Sequence, residues 1–454
     1  HSLYLRADVG RSREEVRNRR VARLVNLNSS ELYNKAMKLY YKKDYWGAYF
    51  IYARILAEYP DFHKNDLVTH YAGSSLEELD MREESIKLYE DVKKDYSLSY
   101  ITPHSDLGIM RVQYRQGNYN LVENQYIELN RQGVPDSIRA HGAYIMGETE
   151  LRRGEYAKAI QYFDMVPEGH PVYVFAQHSA ATAFALMDSD MQDVVSRLDN
   201  CVSSNVTSEA EREIVNRSLV LLGYVYYEDN SLSKAVSALR MVPEGSYYFE
   251  DAMLGLGWTA IKARQWKDCI DAGTKLSQKS NRFVTQGEAA LLIAYGHILE
   301  KNYVQAQTIL EPVLQKFDAH NILTEDSINT EKMRYESDRM SYAFLAEKVV
   351  NTARKGQSVK QQVVDSLHND QVKRKEKIDQ YLVFAEESKR TRFFERSIKT
   401  VRDEIEYALV TVQKMVSKSS IIKEQEKLQN KDNDITNEIE KLKEEMQNLE
   451  NSGE

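Results

Sequence analysis

Apolar residues in this chain recur at spacings of three and four, and they mark helices in pairs. Leu32, Ala36 and Leu39 fall on one face of a helix, a polar turn follows at Lys42-Lys43-Asp44, and Tyr45, Ala48, Tyr52 and Ile55 form a second apolar face that Pro60 ends. Such spacing is the signature of a helix with one buried side. Proline stops the helix because it lacks the N–H that the helix interior needs. The same order returns down the chain: Ala48, Ser85, Val122, Ala159, Val194, Ala235, Cys269 and Ala306 stand at steps of 37, 37, 37, 35, 41, 34 and 37. This period predicts a solenoid of helical hairpins, each burying its face against its neighbours. Small residues such as Ala36 and Ala48 are expected where two helices cross, because a larger side chain would hold the helices apart.

Later copies repeat the pattern with substitutions. One carries Gly147, Tyr156, Ala159, Phe163, Val166 and Pro167, and another Gly223, Tyr226, Ala235, Leu239, Val242 and Pro243. Then come Gly257, Trp266, Cys269 and Leu276, and finally Ala294, Tyr303, Ala306, Leu310 and Val313. At these residues the chain resembles the tetratricopeptide repeat family, whose pattern is a small residue, an aromatic, alanine, an aromatic or leucine, then proline. The resemblance runs over residues 30 to 318. It is closest in the first, fourth, sixth and eighth copies and faintest in the third and fifth. The family's period is about 34 residues, so the longer steps here place extra residues in the turns or helices. The string Met165-Val166-Pro167-Glu168-Gly169 returns as Met241-Val242-Pro243-Glu244-Gly245, which reads as a helix stop and turn.

The resemblance implies an all-α, right-handed superhelical solenoid whose first helices line a groove for an extended peptide or a partner helix. The groove candidates are Arg111, Arg115, Tyr224 and Tyr227. No basic clamp recurs from copy to copy, which disfavours capture of a peptide's terminal carboxylate. Phrases such as Leu56-Ala57-Glu58-Tyr59-Pro60 are similar to those of bacterial envelope tetratricopeptide proteins. That likeness implies a periplasmic location, with a cytoplasmic one as the alternative.

Beyond residue 318 the repeat stops. Asp318 to Thr330 reads as a polar loop, Glu331 to Ala353 as a helix, and Arg354-Lys355-Gly356 as a break. Phe394, Ile398, Val401, Ile405, Ala408, Val412 and Met415 then step by four and three, as do Ile435, Ile439, Leu442, Met446 and Leu449. Both runs are heptad seams of the coiled-coil kind, and the polar stretch Asn430 to Asn437 between them reads as a hinge. The first run is expected to pack within the chain and the terminal run against a partner or a second copy. Phe394, Ile398, Val401, Ile405, Ile439, Leu442 and Met446 are therefore candidate docking residues. The organisation expected is a basic lead-in over 1–29, a solenoid over 30–318, a linker and capping helix over 319–356, and a helical coiled-coil region over 357–454. The arginine-rich lead-in suits either a docking arm or a solvated helix. The start at His1 fits a removed signal or a removed tag.

Composition narrows the function. Of 454 residues 29% are charged, with a net charge of −8, the wrong sign for sequence-independent nucleic-acid binding. No apolar run approaches the ~20 residues of a membrane span. Cys201 and Cys269 fall at repeat-core positions, where cysteine acts as a small hydrophobe. Phosphate-loop and zinc-protease motifs are absent from the sequence. Gly255 to Ala260 matches a dinucleotide fingerprint in letters only, since it lies in a repeat helix with no strand before it. The histidines read as solvated or turn residues, and Glu77-Glu78 and Glu83-Glu84 as exposed helix faces. No catalytic, cofactor-binding or metal residue is assigned. The chain reads as a non-enzymatic scaffold that holds partner proteins, docks or oligomerises through its C-terminal helices, and belongs to an envelope complex. The alternative is a peptide-binding adaptor or co-chaperone.

Overall fold

The computed structural model describes residues 28–130, 133–318, 325–356, 359 and 361–451. Among these residues every regular element is a helix. The basic segment 1–27 lies outside the described residues. The first helix, α1, spans 28–41 and pairs with α2 (Tyr45–Glu58). The next hairpins are α3 (Asn65–Glu78) with α4 (Arg82–Asp95), α5 (Thr102–Gln116) with α6 (Tyr119–Leu129), and α7 (Asp136–Arg153) with α8 (Tyr156–Phe163). They are followed by α9 (Tyr173–Leu186) with α10 (Met191–Ser203), α11 (Glu209–Glu228) with α12 (Leu232–Arg240), α13 (Phe249–Lys262) with α14 (Trp266–Lys279), and α15 (Phe283–Leu299) with α16 (Tyr303–Asp318). Two long helices complete the chain: α17 (Glu325–Arg354) and α18 (Gln361–Asn451).

The fold is thus a tetratricopeptide-like series of helical hairpins followed by long C-terminal helices. All eight register residues, from Ala48 to Ala306, lie on second helices and are buried, Val122 and Val194 included. The steric reason is visible at Gly147, where an added Cβ would overlap the Phe163 ring, and at Gly257, where it would overlap Leu292. Gly257 sits inside α13, so the glycine-rich letters around it serve helix packing. Cys269 and Cys201 are buried free thiols, and burial pushes the Cys269 thiol up to about 12.

Each hairpin turn holds one residue with positive φ: Lys43, Asp80, Gly117, Gly154, Asp188, Asn230, Arg264 and Lys301. A left-handed residue just past a helix lets the chain reverse while the last carbonyls find donors. At Gly154 the turn closes through the Gly154 N–H on the Leu151 carbonyl and the Glu155 N–H on the Glu150 carbonyl.

The chain divides into two compact units, residues 1–214 with 324–387, and 215–323 with 388–454. In the first, Ala346, Val350, Ala353 and Leu367 join the apolar core built by Trp46, Tyr49, Tyr52 and Leu76. Helix α17 is thus a cap, and it covers the first hairpin. The Tyr49 hydroxyl donates to the Val350 carbonyl at 3.4 Å, and Arg354 meets Asp91 at 2.6 Å. In the second unit, Ile405, Ala408, Leu409 and Val412 are buried against Leu291, Ala294, Ala306 and Leu310 of the last hairpin.

Two expectations need correction. Helix α17 starts at Glu325, inside the stretch read as a loop. No hinge interrupts Asn430 to Asn437, where α18 is continuous. The polar residues there are not helix breakers, and neither glycine nor proline occurs between 361 and 451. The break at Gly356 is present, with φ of 70°.

Candidate protein-interaction surfaces

In the first unit the first helices of successive hairpins are tied by a polar network. Glu77, near the end of α3, is 4% exposed. Arg111 of α5 donates to both its oxygens, Nε to Oε1 at 2.9 Å and Nη2 to Oε2 at 2.8 Å, and the Tyr89 hydroxyl donates to Oε2 at 2.7 Å. Burial pushes the Glu77 carboxyl pKa up, but the hydrogen bonds and charge of Arg111, helped by Tyr89, outweigh it and hold it below the usual range. Arg115 stands 3.5 Å from Glu77 and keeps 47% of its side chain exposed. Arg111 is therefore part of a forked charge pair between two repeats, and Arg115 is the freer of the two cations.

The ties continue on either side. The Tyr40 and Ser74 hydroxyls are 2.7 Å apart. Ser179 of α9 donates to Glu148 of α7. Burial raises the Glu148 carboxyl, and Ser179, Arg152, Tyr114 and Tyr144 offset only part of the rise. Histidines run through the same helices at repeat spacing, His70, His104, His141 and His178, at steps of 34, 37 and 37. The His70 and His104 rings lie 6.2 Å apart, and His70 Nδ1 is 2.8 Å from the Ser105 hydroxyl. Burial, then His104 and Arg111, lowers His70 to about 3. Burial, then Arg111 and His170, lowers His141 to about 4.

These side chains correct part of the reading of the histidines and acidic pairs as solvated: His70, His178, Glu77 and Glu84 are buried, whereas His63, Glu78 and Glu83 are exposed as expected. The repeat spacing of the histidines was the available signal. Glu77 gave none, because its partner lies 34 residues away in the chain.

In the second unit Tyr224 and Tyr227 also take part in ties between hairpins. The Tyr224 hydroxyl donates to the Asp251 carbonyl at 2.9 Å. Lys262 Nζ sits 4.3 Å from the centroid of the Tyr227 ring and donates to the Tyr227 carbonyl at 2.7 Å.

Helix α18 holds the remaining candidates. Ile405 is buried against the last hairpin, with Ala408 and Val412. The side chains of Phe394, Ile398, Val401 and Met446 lie outside the described residues. Farther along, Ile421, Leu428, Ile435, Ile439 and Leu442 are 47–61% exposed. These five aliphatics lie on one continuous helix, and burying what each leaves exposed would gain roughly half of the ~1.5–3 kcal/mol of a full side-chain burial. Among the described residues no group of three or more potential ligands for a metal ion occurs, and no helix is long and apolar enough to cross a membrane.

No protein-family model and no curated protein matches the chain. Among solved structures it is similar to a tetratricopeptide repeat protein from Parabacteroides merdae, at 15% identity and a TM-score of 0.38, over 58% of this chain and 98% of that one. It is also similar to the C-terminal part of a tetratricopeptide repeat-containing protein from Cytophaga hutchinsonii, at 12% identity and a TM-score of 0.36, over 65% of this chain and 98% of that one. The hairpin architecture described above rests on this chain's own helices and register residues.

Proposed function

We propose that this chain is a non-enzymatic scaffold for protein–protein interaction, with the distal part of α18 as its docking element. One observation carries the reading: the aliphatic stripe from Ile421 to Leu442 is exposed, whereas the seam before it on the same helix is buried on the last hairpin. The groove candidates support the same ranking. Arg111, Tyr224 and Tyr227 are held by neighbouring repeats, which leaves Arg115 as the freest of the four polar groups for an adaptor that grips a peptide.

The test pairs two variants in the full chain. Ile435→Glu with Leu442→Glu places carboxylates on the stripe, and Arg115→Ala removes the freer groove cation. Cross-linking in extracts of the source cells should then lose specific partners only in the stripe variant, with circular dichroism unchanged. Loss only in the Arg115→Ala variant would favour the adaptor reading and overturn the stripe as the docking element.

A further inference from the structure

The aliphatic stripe on the distal part of α18 is out of phase with the seam that packs on the last hairpin. Ile405, Ala408, Val412 and Met415 continue by four and three to Ser419 and Ile422. The exposed Ile421, Leu428, Ile435 and Leu442 follow one another at seven residues, starting one position before that continuation. One residue is about 100° of rotation on an α-helix, so the stripe turns away from the face that the last hairpin covers. An unbroken seven-residue spacing is the period of two helices supercoiled about each other. The seam positions between the aliphatics hold Gln425, Asp432 and Ile439. Glu438 and Lys443 flank the seam on its two sides, and both are exposed.

The chain itself supplies what this seam needs opposite it. In two copies laid parallel and in register, each aliphatic meets its own like, and Gln425 and Asp432 meet polar residues instead of interrupting an apolar layer. Each seam side chain inserts into a hole made by four residues of the facing helix. For Asp432 these are Leu428, Lys431, Asp432 and Ile435 of the second copy, so each carboxylate would have the other helix's Lys431 beside it as counter-charge. The two aspartates and two lysines are together neutral. The flanks agree, because charged residues on facing flanks pair across such a seam, and Glu438 of each copy would meet Lys443 of the other. The like-charged Glu445 and Glu450 stand opposed only in the last heptad. A pair slipped by one heptad would instead set Lys431 against Lys443 and Glu438 against Glu450. An antiparallel pair would place Asp432 against isoleucine or leucine, where a carboxylate is costly to bury. Resting on the docking role proposed above, we infer that the stripe is taken by a second copy of this chain, in a parallel, in-register coiled coil over residues 421–449.

The experiment measures the molar mass of the full chain by light scattering over a range of concentrations. The wild-type chain should be monomeric when dilute and dimeric when concentrated, and Ile435→Glu should stay monomeric throughout. Glu438→Lys and Lys443→Glu should each weaken the dimer about tenfold, because two opposite-charge contacts become two like-charge ones. Mixing these two variants should restore wild-type affinity as a heterodimer, since each then meets the charge it lacks. In the antiparallel registers that align the stripe, Lys443 faces no glutamate; a dimer that Lys443→Glu leaves unweakened would overturn the proposed pairing. A dimer untouched by Ile435→Glu would place the contact elsewhere and overturn it too. A wild-type chain monomeric at every concentration would overturn the second copy, and the docking role would still stand if the stripe variant loses cross-linked partners. A monomer whose stripe variant loses none would overturn both. These variants lie on exposed helix, so circular dichroism should show each folded.

Discussion

At the scale of single residues, the contrast between Gly147 and Glu77 separates what sequence shows from what it hides. Gly147 stands at a helix crossing, a local steric demand that repeats with the period, so its role is legible from spacing alone. Gly147→Ala should destabilise the chain by about 1–3 kcal/mol, because the added methyl overlaps the Phe163 ring; urea denaturation followed by circular dichroism measures this. Glu77 looks like any surface glutamate, and its burial follows from a cation on the next repeat. Arg111→Ala should lower stability by about 2–3 kcal/mol, since it strands a buried carboxylate and Arg115 replaces only part of the charge. Arg115→Ala, being half exposed, should cost under ~1 kcal/mol. Equal, negligible costs in the same urea experiment would mean that Arg111 is a free surface cation.

Helix ends and turns show the same division. Every hairpin turn requires a left-handed residue, yet only Gly117 and Gly154 announce it; at Lys43, Arg264 and Lys301 the repeat imposes the conformation on residues that pay for it. Arg264→Gly should therefore raise stability by about 0.5–1 kcal/mol, the relief of backbone strain exceeding glycine's extra entropy loss. The start of α11 is a reciprocal cap: the Thr207 and Ser208 N–H groups donate to Glu211, and the Glu211 N–H donates to the Ser208 hydroxyl. The Ser208 and then the Thr207 amide hold the Glu211 carboxyl down at about 2. Glu211→Ala should cost about 1 kcal/mol. Thermal unfolding in the parent and both variants decides these two. Helix α18 was legible as heptads, but its continuity was not: the polar stretch at Lys431-Asp432-Asn433 suggested a turn, and only the lack of any glycine or proline pointed the other way.

For the whole molecule, the hairpin series and the long C-terminal helices could be read from the period. The attachment of α17 to the first hairpin, and of Ile405 to Val412 to the last, could not, because an apolar seam does not name what covers it. The buried histidines make acid sensitivity a property of the fold. Their pKa values are lowered on folding, so their stabilisation is complete above the unfolded value of 6.5 and is lost as pH falls toward 4 and 3. Glu77 and Glu211, also lowered, lose theirs below about 4.5. The raised Glu148 works the other way and softens the loss. The melting temperature should fall between pH 7 and pH 5, and less steeply in His70→Gln; a flat profile in the parent would contradict the buried, neutral histidines. The central claim is that one helix carries a covered seam and an uncovered one, and amide hydrogen exchange on the monomeric full chain tests it most directly. Residues 403–416 should exchange slowly and 421–444 quickly. Strong protection of 421–444 in the monomer alone would show that the chain covers its own stripe, and the docking role would be withdrawn.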